Sequence, residues 1–197
     1  MLRKIALLVS AIAVFAFPSF ASAEQNYIVG KLGVYSPESS DLTDFGFSSD
    51  FAGGVAVGHY FNPNFAVEAG VGHLQTSATE FDAAGNIFVN EDIDATFIEA
   101  TAKLVFPIPY FYYATRYRPA MDLYVGAGGG VYFANDDIDA IGFHQSDTVG
   151  GFHVLGGADF NIDRHFFLGF ELKYLWAKPF ATRIDGLIFS GNFGYRF

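Results

Sequence analysis

The 197-residue sequence contains no cysteine, which excludes disulfides, thiolate metal sites, a cysteine nucleophile and lipid attachment through an N-terminal thiol. Charge is scarce: 16% of residues are Asp, Glu, Lys or Arg, and 11 basic residues stand against 21 acidic ones. A formal net charge of −10 makes the chain a poor partner for nucleic acid, whose phosphates need Lys and Arg. Long apolar runs are missing after residue 23, because Gly, Pro or a charge breaks each one, so no spanning helix is expected. What is abundant is apolar: 51% of residues are hydrophobic, 18% aromatic, and 22 are glycine. Such a chain must either hide its strands or span a membrane with them.

Residues 1–23 read as a secretory signal peptide. Arg3 and Lys4 form the basic start, residues 5–17 the apolar core, and Ala21-Ser22-Ala23 the small-x-small cleavage site. The core is shorter than the roughly 20 residues of a bilayer span. The expected mature chain, 24–197, is one domain, and loss of two basic residues takes its formal charge to −12.

Alternating segments recur at 26–36, 51–61, 65–76, 95–106, 121–133, 149–160, 166–176 and 186–197. Each is close to the roughly 9 to 11 residues of a tilted membrane strand. Tight connectors at Asn62-Pro63-Asn64 and 161–165, with a longer one at 107–119, alternate with long polar ones at 37–50, 77–94, 134–148 and 177–185. The faces separate cleanly: Ile98, Ala100, Ala102, Leu104 and Phe106 oppose Glu99, Thr101 and Lys103, while Phe166, Leu168, Phe170, Leu172, Tyr174 and Trp176 oppose Glu171 and Lys173. In the fifth segment Met121, Leu123, Val125 and Val131 oppose Asp122, Tyr124, Gly126, Gly128 and Gly130. Glycines beside charges suit the narrow inside of a small barrel.

A soluble barrel would reverse the faces, leaving the Glu, Lys and Gly face outside with too few charges for solubility. Aromatics gather at segment ends as interfacial girdles would: Tyr60 with Phe61, Phe106, residues 110–113, Phe166 with Phe167, and Trp176. The expected fold is all-β, a transmembrane antiparallel up-and-down eight-stranded β-barrel with both termini periplasmic.

Tyr117-Arg118-Pro119 with Tyr124-Val125-Gly126-Ala127-Gly128, Gly157-Ala158-Asp159-Phe160-Asn161, and the terminal Phe193-Gly194-Tyr195-Arg196-Phe197 resemble the small outer-membrane barrels of the OmpW and OmpA-like type. The first two stretches are OmpW-like, whereas Asn62-Pro63-Asn64 followed by Phe65-Ala66-Val67-Glu68-Ala69-Gly70 is similar to the OmpA transmembrane barrel. The resemblance implies an outer membrane of the Gram-negative type and places Glu68 at the position of a gating glutamate. It also implies that Phe193, Tyr195 and Phe197 form the signal read by the barrel-assembly machinery.

Inward parity collects Lys31, Glu68, Glu99, Lys103, Asp122, Asp159, Glu171, Lys173 and Arg196 as a lumen charge network, in which Lys103 and Asp122 could oppose each other across 107–119. Buried charges need partners or water, so the network either plugs the lumen or lines a wet path. Fourteen of the 21 acids fall in the four long connectors, with matching runs at 90–94 and 135–139. Neither run has EF-hand spacing, and the five histidines show no metal-ligand spacing, so no metal or cofactor is expected. His144-Gln145-Ser146 is similar to the His-x-Ser of outer-membrane lipid A deacylases but lies in an acidic connector, so no catalytic site is expected. Outer-membrane lipids and lipopolysaccharide are the expected surroundings. Two functions fit: passage of small apolar ligands, which the OmpW resemblance implies, or a non-conducting scaffold whose loops act by adhesion or by holding lipopolysaccharide.

Overall fold

The computed structural model describes residues 25–38, 48–81, 87–108, 121–138, 143–179 and 184–197. The signal segment 1–23 and the aromatic residues 110–113 lie outside them. Eight strands follow in order: β1 (Asn26–Pro37), β2 (Asp50–Asn62), β3 (Phe65–Phe81), β4 (Ile87–Ile108), β5 (Met121–Ile138), β6 (Phe143–Asn161), β7 (Phe166–Ala177) and β8 (Gly186–Arg196). Each pairs antiparallel with its sequence neighbour, and β1 pairs with β8 from Tyr27↔Arg196 to Pro37↔Gly186, which closes the sheet into a barrel. Closure leaves no edge along this seam. It also ties down the last residue, since Asn26 N–H donates to the Phe197 carbonyl at 3.2 Å and Phe197 N–H to that of Asn26 at 2.9 Å.

The period of two carries the side chains to opposite faces. In β8, Phe189, Phe193 and Tyr195 are exposed on the outside while Ser190, Asn192 and Arg196 are buried inside. Leu32, Val55, Leu104, Phe152 and Leu172 continue the apolar exterior around the wall. Two aromatics expected in the girdles turn inward instead: Phe167 is buried and Tyr60 packs with it and Tyr27, because both share the parity of the charged residues. Phe61, Phe106 and Phe166 face outward and are exposed, and Trp176 stacks on Phe152 with ring centroids 5.0 Å apart.

β1, β2, β7 and β8 have 12, 13, 12 and 11 residues, close to expectation. β3 to β6 have 17, 22, 18 and 19, so residues expected in connectors continue the ladder. Residues 91–94 and 135–138 of the two acidic runs face each other there, with Asp92↔Asp137 and Asp94↔Asn135 in register. Above the apolar band the outward residues turn polar. The hydropathy signature therefore ends while the hydrogen-bonded strands go on.

Candidate functional site in the barrel interior

At mid-height, β1, β3, β4 and β7 each direct a charged side chain to the axis. Lys31 Nζ donates to Glu68 Oε1 at 2.6 Å and to Glu171 Oε1 at 3.0 Å, and Lys103 Nζ donates to Glu68 Oε2 at 2.6 Å and to Glu171 Oε2 at 3.3 Å. Two lysines and two glutamates thus form a ring of alternating sign. The Tyr27 hydroxyl donates to Glu68 at 3.1 Å and that of Tyr124 to Glu171 at 3.2 Å, while Asn192 Nδ2 donates to the Tyr124 hydroxyl at 3.0 Å. Lys173 Nζ reaches Glu99 Oε1 at 2.5 Å. His153 Nδ1 lies 3.5 Å from Glu99 Oε2, and its Nε2 is 2.8 Å from Thr101 Oγ1. Three lysines balance three glutamates, as buried charges require.

Nearer the tight turns, Arg196 closes the interior. Its Nη2 donates to Asp122 Oδ2 at 3.0 Å and its Nη1 to Asn161 Oδ1, and Asn161 Nδ2 donates to Asp122 at 3.2 Å. The guanidinium lies 4.5 Å from the Phe167 ring centroid, over an apolar layer of Tyr27, Val29, Ala56 and Phe167. Toward the long connectors a second apolar layer fills the bore with Tyr35, Leu74, Phe97, Tyr132, Leu175, Ile184 and Ile188. The Tyr35 hydroxyl donates to the Ile184 carbonyl at 2.9 Å, fixing the approach to β8 across this end. Between the layers a cavity of about 30 Å³, lined in part by Lys31, Glu99, Glu171, Lys173 and Ser190, has room for about one or two water molecules.

All nine charged residues singled out in the sequence are buried, and eight of them, all but Asp159, join the ion pairs just described, Asp122 with Arg196 and the other six in the two mid-height clusters. Asp122 itself belongs to the lower layer, and Asp159 stands across the strand from it, with Oδ1 free of any hydrogen bond among the described residues. The opposition of Lys103 and Asp122 that the sequence allowed does not form: Lys103 pairs in register with Gly126 and Asp122 with Pro107, four residues apart along β5. Their side chains therefore serve different layers. Tyr27, Tyr124, His153 and Asn192 were not singled out as network members, although inward parity was the signal that could have found them. Phe193, Tyr195 and Phe197 lie exposed on the outer wall. Among the described residues, no group of three or more His, Asp or Glu could hold a metal ion.

A closed eight-stranded barrel, apolar outside and charged but filled inside, defines a small transmembrane barrel of the outer-membrane class. The chain belongs to the outer membrane protein beta-barrel domain family, whose model matches residues 5–197. Its fold is similar to the crystal structure of Neisserial surface protein A (NspA), 16% identical over 89% of this chain and 99% of that one, with a TM-score of 0.63. OprG from Pseudomonas aeruginosa is 15% identical over 89% and 97%, with a TM-score of 0.64. Ail of Yersinia pestis is 18% identical over 88% and 99%, with a TM-score of 0.52. At these identities the common property is the fold. No curated protein sequence matches the chain significantly.

Proposed function

We propose that the protein is a non-conducting outer-membrane scaffold whose long-connector end faces outward and acts by contact, through adhesion or by holding the lipopolysaccharide layer. The observation that carries this reading is the filled bore: apolar side chains pack toward each end, paired charges occupy the middle, and the cavity beside Lys31 and Glu171 is of water size. Eight strands enclose an interior that side chains can fill. Single-channel conductance of the refolded mature protein in a planar bilayer tests it, with Glu68→Ala and Lys103→Ala beside the wild type. Silence from all three is expected. Discrete steps altered by either variant would replace the scaffold with an open, charge-lined pore.

A second reading, uptake or lateral release of small apolar molecules, draws support from the apolar layer at the long-connector end, where Phe97, Tyr132 and Leu175 would contact such a ligand. Saturable binding of an apolar fluorophore, lost in Tyr132→Asp, would favour it. We also infer that the signal segment 1–23 is removed on export and that the exposed Phe193, Tyr195 and Phe197 are read by the barrel-assembly machinery. The mass of the mature protein and the assembly yield of Phe197→Ser test these two points.

A further inference from the structure

Four strands rise beyond the apolar band, and their register lays the outward residues in rows. The last apolar row is Val71, Ile98 and Val131, joined by Val71↔Ile98 and Ile98↔Val131. Directly above it His73 pairs with Thr96 and Thr96 with Phe133. The next row is Gln75, Asp94, Asn135 and Ser146, each opposite the next. The change from apolar to polar between adjacent rows puts these residues where hydrocarbon gives way to headgroups.

The polar rows are ordered. His73 Nδ1 lies 3.2 Å from Thr96 Oγ1 and its Nε2 3.5 Å from Asp94 Oδ1, so one imidazole joins the two rows. Phe133 is exposed beside them. On this face, among the described residues of β3 to β6, there is no Lys or Arg.

We propose that this face binds the hydroxyl-bearing sugars of an outer-leaflet glycolipid, lipopolysaccharide, and does not bind its phosphates. The inference rests on the reading that the long-connector end faces outward. Phosphate recognition needs cationic or N–H-rich donors, and the Asp94 carboxylate, which has an imidazole and no lysine or arginine beside it, disfavours a second anion. Sugar hydroxyls both donate and accept, which is what a carboxylate, two side-chain amides and hydroxyls can answer. The Phe133 ring offers apolar surface for the C–H face of a sugar ring.

The test follows the His73 ring resonances of the refolded protein in detergent micelles during titration with phosphate-free core oligosaccharide, and separately with inorganic phosphate. The oligosaccharide should shift His73 saturably, with or without a chelator, while phosphate leaves it unmoved. Asn135→Ala should raise the dissociation constant about threefold to tenfold, the range for one lost hydrogen bond, and Phe133→Ala should weaken binding as well. A response to phosphate alone, a requirement for Mg²⁺, or a response unchanged in both variants would overturn the proposal. Orientation is read separately: because the chain has no cysteine, Ser146→Cys on intact cells should react with a membrane-impermeant maleimide. Failure of that labelling sinks the outward-facing reading itself, whereas labelling without sugar binding sinks only the present inference.

Discussion

Glu68 is buried between two lysines, and its two oxygens receive one ammonium each. Removing it leaves Lys31 and Lys103 to share Glu171. Glu68→Ala should therefore lower unfolding stability in urea by about 3 to 5 kcal/mol, the cost of breaking a buried pair from one side. Adding Lys103→Met should recover part of that loss, and a double variant no more stable than Glu68→Ala would show that the pair is not coupled. Close packing sets a second limit. The Tyr27 ring lies over the cross-strand Gly58, and the Phe167 ring over Gly194, so closely that an added Cβ would enter the ring. Gly58→Ala should then cost about 1 to 3 kcal/mol through overpacking, read in the same urea titration. The sequence showed which residues share the inner face, because parity is local. It did not show partners such as Lys31 and Glu171, 140 residues apart, because only closure of the barrel brings them together.

At the scale of elements, the turn between β6 and β7 is fixed by one carboxylate. Asp163 Oδ1 accepts from the backbone N–H of His165 at 2.7 Å and of Phe166 at 2.8 Å. The N–H groups of Phe166 and His165 hold its carboxyl below the usual aspartate range. A carboxyl lowered by folding contributes stability above its unfolded value, about 3.9, and loses it as pH falls through the lower folded value. The difference in unfolding midpoint between wild type and Asp163→Asn should be constant well above the unfolded value of about 3.9 and shrink as pH falls below it. A difference that grows on acidification would mean the charge has no stabilising role. This turn was legible as a cluster of turn formers, and so was the strand count. The ends of β3 to β6 were not, because residues such as Ser77, Asp92 and Ser146 pair as strand without the apolar-outside signature that membrane burial imposes. Register was equally hidden: the four-residue offset between Lys103 and Asp122 depends on how β4 and β5 are staggered, which hydropathy does not encode.

The whole molecule is a wall of uneven height, and the bilayer's position on it follows from where the outer surface stops being apolar. Along β5 the outward residues Leu123, Val125, Val131 and Phe133 are exposed and apolar, and Asn135 begins the polar extension. An arginine on the lipid face costs about 2 to 4 kcal/mol at the bilayer midplane and about 0 to 1 near an interface. Refolding Val125→Arg, Val131→Arg and Asn135→Arg into phospholipid vesicles should therefore give a falling series of destabilisation along one strand, with Asn135→Arg close to wild type. The gradient measures depth independently of what the lumen conducts or the outer face binds. A penalty at Asn135 as large as that at Val125 would place the polar rows of β3 to β6 inside the hydrocarbon, and the extended strands would no longer stand above the membrane.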